Sequence, residues 1–507
     1  MAGVVVITLI TFTAIFISVL WGSYIYARIA YLYFKKRGMP FDTPTFPFGS
    51  LTSCFTLKSS FSSVLADMYA KNKDYKLVGF FTFWKKDILI NDPDIIRQVL
   101  VKDHEVFQDR GLYYNKQKDP LSAHLFALAG EEWKNLRNKL TPTFSSGKIK
   151  GMFPILVNCT DEMINTVRKL NLESSSVDCQ NLFYCFGLSL ISNTAFGLES
   201  DAMTNKDSTF VKMAKKLLAP TIDRMITMIL TLNGEIAKKF NTRVVPTDVS
   251  KFFMGLVKDT IKFREENDVN RNDYLQLLIE LKNDATAQDS NLIFSDNELA
   301  AESFVFILAG SDTTSSAVSF CLYELAMNPK VQERLQMEVD SIQEITYESI
   351  NSLEYLSMVV DESLRKHPPL GFLNRLCSRD YQVPDTDTII EKGTQVFISV
   401  QGIHNDPELF PDPERFIPER FSKKNKGNIK QYSYMPFGEG PRFCIGMRFA
   451  KMSVKAALAV LLRHYQVLPT PSTPTKIELD PKSVTTHVSG GMWLSLKERR
   501  PNVVRKE

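Results

Sequence analysis

A cysteine stands near the end of the ten residues 437–446, Phe-Gly-Glu-Gly-Pro-Arg-Phe-Cys-Ile-Gly. Glycines at 438, 440 and 446 let the backbone turn tightly and come close to a flat ligand. The pattern after Gly446 is helical, which sets a positive helix N-terminus beside the Cys444 sulfur, and both effects favour a thiolate. No Cys or His at metal-cage spacing accompanies it, and Arg442 lies two residues upstream. A thiolate of this kind suits a metal already caged by another molecule, for which haem is the obvious candidate. The competing reading is a buried, inert thiol in a glycine-rich turn. The decision between the two rests on motifs elsewhere in the chain.

Three other groups could do chemistry or support it. Ala309-Gly310-Ser311-Asp312-Thr313-Thr314 interrupts an otherwise favourable helical pattern with poor helix formers. Gly310 could leave room for a ligand against the backbone, and a hydroxyl bonding backward to a carbonyl would loosen the helix there. Trp133 and Arg137, four apart, share a helix face, where the arginine could meet a carboxylate or simply face solvent. Glu362 and Arg365, three apart, also share a face, and alone they would be a minor surface ion pair.

These groups need elements to hold them. Ser295-Asp296-Asn297-Glu298 reads as a capping box opening a helix to about residue 326, about 45 Å long and able to cross a whole domain. Leu356, Val359, Val360 and Leu364 mark the helix that carries Glu362, and Pro368-Pro369 end it. Strands are expected at 77–84 and 87–90 across a Lys85-Lys86 turn, with a short helix at 94–101. A hairpin is expected around Glu391-Lys392-Gly393 within 389–400, and a last hairpin at 485–496. The helix after Gly446 runs to about His464. Segment 107–130 lacks a clean period and reads as a loop over the site. The apolar passage 217–232 could be core or could touch lipid. His404, solitary beside Asn405-Asp406-Pro407, reads as a turn residue.

At the front, residues 1–27 carry no charged side chain and are long enough to span a bilayer as a helix. Arg28, Lys35, Lys36 and Arg37 follow, which favours a retained anchor with the remainder in the cytosol. Residues 28–50 form a basic, proline-rich hinge, and 51–507 shows no linker, repeat or low-complexity tract, as expected of one catalytic domain. Seven cysteines without paired spacing suggest reduced thiols. A net charge of +4 is too small to imply nucleic acid.

The run 437–446 resembles the haem-binding signature of the cytochromes P450 and matches its fixed positions at Phe437, Gly440, Arg442, Cys444 and Gly446. Residues 309–313 are similar to that family's oxygen-activating motif, and Glu362, Arg365 and Arg420 to its bracing triad. The likeness spans practically the full chain. It implies a mainly α fold with small β-sheets, the cytochrome P450 fold, preceded by an N-terminal transmembrane helix. It implies haem b (iron protoporphyrin IX) with Cys444 as axial thiolate ligand. Asp312 and Thr313 would deliver protons, and Trp133, Arg137 and Arg375 would contact the haem propionates. Phe437, Arg442 and Gly446 would complete the cofactor site, and the triad would be structural.

With no dinucleotide or flavin fingerprint in the chain, the resemblance implies electrons from NADPH through NADPH–cytochrome P450 reductase, with cytochrome b5 a candidate second donor. Lys134, Arg137, Lys139, Lys423, Lys424, Lys426, Lys430, Arg448, Lys451 and Lys455 would form a basic docking face, or simply a solvated one. The wording of 140–148 and of Phe372-Leu-Asn-Arg375 resembles the insect microsomal group that oxidises plant toxins and insecticides at the endoplasmic reticulum. Phe107, Leu125, Phe126, Phe304, Phe306, Ala309 and Phe372 would line an apolar pocket, or be plain core, and Gly371 would widen it. Endogenous steroids, hormones or fatty acids are the alternative substrates. A haem-thiolate isomerase or dehydratase would not need Asp312 and Thr313, and a haem sensor would need neither that pair nor a docking face.

Overall fold

A computed structural model of the chain describes residues 2–198, 200–205, 207–218, 227, 230, 231, 234–288 and 294–499. Helices dominate, and three small sheets sit at their margins. The centre is built by two helices that are buried on nearly every side. In Met447–His464, residues 452–462 are all buried, and in Asp312–Met327 almost every side chain is. A helix buried all round must be wrapped by others. Ser146–Glu173, Cys179–Ile191 and Glu354–Lys366 do the wrapping, and their Leu, Val and Phe side chains make one continuous core with the two central helices.

The long helix begins at the expected capping box, with Ser295 Oγ accepting from the Glu298 N–H and Glu298 reaching back to the Ser295 N–H. It does not run evenly. Asp296–Phe306 and Asp312–Met327 are α-helical, and Ile307–Ser311 between them is one widened π turn. The hydroxyls of Ser311 and Thr313 both bond backward, to the carbonyls of Ile307 and Ala309, where the sequence loses helix formers. Gly310 and Gly187 allow the long helix to cross Cys179–Ile191 closely. A Cβ on Gly310 would meet Ile191 Cδ1 at 2.5 Å, and one on Gly187 would meet the Ser311 carbonyl oxygen at 2.6 Å. The Cβ position of Gly310 is thus occupied by the Ile191 side chain, while Gly310 itself borders the cavity described below.

The main sheet orders Leu77–Thr82, Lys85–Ile90, Gln395–Ile398 and Leu373–Leu376, with only the second and third strands parallel. Three local expectations are corrected. The first turn is at Phe83, with φ +58, and Trp84, so Lys85 and Lys86 belong to the second strand. The segment 389–400 is not a hairpin: Ile389–Ile390 pairs with Tyr381–Gln382, whereas Gln395–Ile398 joins the main sheet. Trp493–Glu498 pairs with Tyr465–Pro469 instead of folding back on residue 485, which frees the 480–487 segment to lie against the long helix. In each case long-range pairing outranks the local alternation of apolar and polar residues.

At the front, Ala2–Ala30 is one uninterrupted helix, and its apolar stretch is long enough to cross a membrane. Most of the 217–232 passage lies outside the described residues; Leu217, at its start, is buried.

Candidate functional site

The Cys444 segment is shaped by its glycines. Gly438 and Gly440 have φ +73 and +71, and a Cβ on Gly440 would lie 1.8 Å from the Leu100 carbonyl oxygen, so a side chain there is excluded twice. The Cys444 N–H donates to the Phe437 carbonyl at 2.9 Å, which closes the loop before the helix starts at Met447. Cys444 opens into a cavity of about 950 Å³ bounded on the opposite side by the broken part of the long helix. That volume lies at the upper end of the about 300–1,000 Å³ usual for small-molecule sites.

Burial pushes the Cys444 thiol up, against the Gly446 N–H and the Arg137 and Arg110 charges that pull it down. A bound cation would complete the stabilisation, because a coordinated thiol is deprotonated outright.

The most telling electrostatics lie beside the cysteine. Arg110, Arg137, Arg375 and Arg442 all line the cavity. Burial holds Arg110 well below its usual range, and the like charges of Arg375, Arg442 and Arg137 depress it further. Burial likewise lowers Arg375 and Arg442 to about 10. Asp109, 3.2 Å from Arg442 Nη2, is the one carboxylate paired with these four among the described residues. Arg442 stacks 3.9 Å over Trp133, Arg110 lies 4.1 Å over Phe126, and Arg137 lies 4.8 Å from the Phe443 ring. Arg375 donates to its neighbour's carbonyl, Asn374 O, at 2.8 Å. Four guanidiniums with one carboxylate partner beside a thiol are the chemistry that a flat, dicarboxylated metal macrocycle such as haem would satisfy.

Every expected cofactor residue borders this cavity: Cys444, Trp133, Arg137, Arg375, Phe437, Arg442 and Gly446. Asp312 and Thr313 border it as well. Arg110 went unread because it sits in an aperiodic loop, next to a glycine with φ +69, and no spacing rule reaches it. Glu362, Arg365 and Arg420 also come together: Arg365 bridges both Glu362 oxygens at 2.8 and 3.0 Å, and Arg420 Nε lies 3.3 Å from one of them. His404 is no surface turn residue. It is fully buried, its Nε2 accepts the Met435 N–H at 2.9 Å, and its Nδ1–H therefore faces the Arg365 carbonyl at 3.0 Å.

The expected pocket wall divides. Leu125, Phe126, Phe306 and Ala309 line the cavity, joined by Val305, Leu308, Leu370 and Leu373. Phe107, Phe304 and Phe372 do not. Phe107 packs on Tyr381, Phe304 on Phe253, and Phe372 on Phe61. Gly371 does not widen the pocket either; it is buried, and a Cβ there would strike Ser62 at 2.6 Å.

Comparison with known proteins turns this geometry into a family assignment. The family model for cytochrome P450 matches residues 43–494. The chain is 36% identical over 486 residues to the probable cytochrome P450 6a14 of Drosophila melanogaster, covering 92% of this chain and 95% of that protein. It is 36% identical to cytochrome P450 6k1 of Blattella germanica, with 94% of each chain covered, and 37% identical to cytochrome P450 6d1 of Musca domestica, with 92% and 96% covered.

The chain belongs to the cytochrome P450 family. It is a monooxygenase of the insect family-6 type, with haem held by a cysteine thiolate, electrons drawn from NADPH through a reductase, and lipophilic compounds as its general substrates. The basic residues expected to form a docking face are not uniformly placed. Lys423, Lys424, Lys426, Lys430 and Arg448 are exposed, but Lys455 is buried, Lys451 is tied to Asp361 at 2.6 Å, and Arg137 faces the cavity.

Proposed function

We propose that this P450 oxidises bulky lipophilic xenobiotics, such as plant toxins and insecticides, at the endoplasmic reticulum membrane, with its catalytic domain on the cytosolic side. The observation that carries this reading is the set of apolar side chains, Leu125, Phe126, Val305, Phe306, Leu308 and Leu370, that line the same cavity of about 950 Å³ as Cys444. Such a lining selects by shape and dryness and not by directed polar contacts, which suits varied ligands. Cys444, the one cysteine bordering the cavity among the described residues, would hold the haem iron through its thiolate in this reading. Arg110, Arg137, Arg375, Arg442 and Trp133 hold the propionate edge.

The bound haem supplies the activation of dioxygen. The chain's own residues orient the substrate, exclude water, and bring protons to the long helix, where Asp312 accepts and releases them and the Thr313 hydroxyl directs them into the cavity. Ala2–Ala30 anchors the domain, and Arg28, Lys35 and Arg37 hold its following end at the cytosolic surface. The exposed lysines 423–430 and Arg448 meet the acidic reductase, and cytochrome b5 meets the same face.

A panel assay with reductase, NADPH and matched sets of plant toxins, insecticides, steroids and fatty acids tests the substrate reading. Products from several unrelated toxins or insecticides are expected. Turnover confined to one endogenous steroid or fatty acid would overturn it.

A further inference from the structure

The polar end of the cavity contains a group that the reading above does not use. Asp312 does not point its carboxylate into open space. Its Oδ2 accepts the Thr485 hydroxyl, and His487 Nε2 lies 3.1 Å from its Oδ1. Both partners come from the 480–487 segment, which a backbone bond from the Asp480 N–H to the His487 carbonyl at 2.8 Å folds back on itself. The same segment is fastened at its far side by the Thr486 hydroxyl on the Pro368 carbonyl and by the Thr486 N–H on Pro369 O at 2.9 Å.

The imidazole is therefore held at the aspartate by a braced loop. Its Nε2 is buried and makes no well-directed hydrogen bond despite that closeness, so the contact with Asp312 is ionic. His487 is also 15% exposed, with Asp480, Lys482, Ser483 and Thr485 lining the cavity beside it. It stands between solvent and a carboxylate that is 7% exposed.

We propose that His487 is a positioning and proton-relay residue for Asp312, charging it from solvent through the 480–487 segment. The inference rests on the proton-delivery role given above to Asp312. In the relay the Nε2–H bond of the imidazolium breaks and an O–H bond forms on Asp312 Oδ1. The neutral imidazole then regains its proton from a hydronium ion of the solvent, which leaves a water molecule, and no electrons move.

The groups around His487 are Asp312 on the long helix, Asp480 and Lys482 on its own segment, Tyr184 on Cys179–Ile191, and Lys215 on the same cavity wall. Burial by itself would lower the imidazole, but the contact with Asp312, reinforced by Asp480, outweighs it and raises the net value. His124 and His404, buried without such a partner, fall to about 4 and about 3. His487 is thus kept protonated to higher pH than an ordinary histidine, as a relay needs.

The test uses the holoenzyme with reductase and compares wild type, His487→Gln, Asp312→Asn and the double variant. The first readout is product formed per NADPH consumed across pH. The second, independent of turnover, is the melting temperature of the resting protein across pH. A raised folded-state pKa stabilises fully below the unfolded value and loses that stability as pH rises through the folded value.

The expected result is a melting-temperature advantage of wild type over His487→Gln at acidic pH that vanishes on the alkaline side and is absent in the Asp312→Asn background. In parallel, coupling in wild type falls over the same alkaline window, while His487→Gln is lower and flat. Asp312→Asn loses about 10²-fold in coupled rate, as removal of a general acid does. If Asp312→Asn loses coupling but His487→Gln keeps the wild-type pH profiles in both readouts, the relay is overturned and the aspartate's role stands. If Asp312→Asn stays fully coupled, the aspartate's role fails, and the relay with it.

Discussion

Two arginine clusters lie in this molecule, and only one of them can take a ligand. Around Glu362, the guanidinium of Arg365 spends its donors on both carboxylate oxygens and on the carbonyls of His404 and Pro413, each at 2.7 Å. Arg420 adds a bond to the Asp412 carbonyl at 2.8 Å, and the Ile417 N–H reaches Glu362 at 2.9 Å. Beside Cys444, four guanidiniums share one paired carboxylate: Arg442 donates to Asp109 and to the carbonyls of Gln108, Leu125 and Leu128, and Arg110 to those of Phe126 and Arg442, whereas Arg375 bonds only to its neighbour's carbonyl among the described residues. The first cluster is closed and can only hold the protein together. The second is open, and its surplus positive charge is an affinity for an anionic group. Residue types alone do not separate structure from site; the balance of charge and the donors left over at Arg375 do.

The sharpest way to break that contrast is Glu362→Ala. It strands two buried guanidiniums in a closed site and is expected to cost about 3–5 kcal/mol, enough to remove most folded protein. Thermal unfolding measures it, and a loss below about 1 kcal/mol would mean that the knot is not the brace it resembles. A smaller and qualitatively different effect is expected from Arg375→Ala. Removing one like charge from the open cluster should leave the cofactor-free fold as stable as before, while cofactor retention drops by the about 1.5–3 kcal/mol of a charge-assisted hydrogen bond, roughly ten- to a hundredfold. Transfer of haem to a scavenger protein reads this directly. Equal losses in the free and loaded protein would make the open cluster structural after all.

How much of this was legible in the sequence follows the same line. Motif positions tied to one element by fixed spacing were readable, because a helix or tight turn converts spacing into geometry: Cys444 with its glycines, Ala309 to Thr313 in the weakened helix, Glu362 with Arg365. Residues brought together by loops were not. Arg110 and His487 reach the cavity from segments with no period, and nothing local distinguishes them from surface residues. The phenylalanines failed differently. Phe304 and Phe306 are two apart on one helix, yet one fills the core against Phe253 and the other faces the cavity. An apolar side chain suits both places equally, so composition cannot choose between them. Gly371 and Gly310 carry the same lesson, since an absent side chain makes room for whichever neighbour arrives, here Ser62 and Ile191.

The central claim is that Cys444 ligates haem as a thiolate, and the ferrous carbon-monoxide difference spectrum of recombinant membranes tests it most directly. Wild type is expected to give the strongly red-shifted Soret band of thiolate ligation, and Cys444→Ser to lose it. Folded, haem-loaded wild type without that band, or a band that survives in Cys444→Ser, would contradict the account.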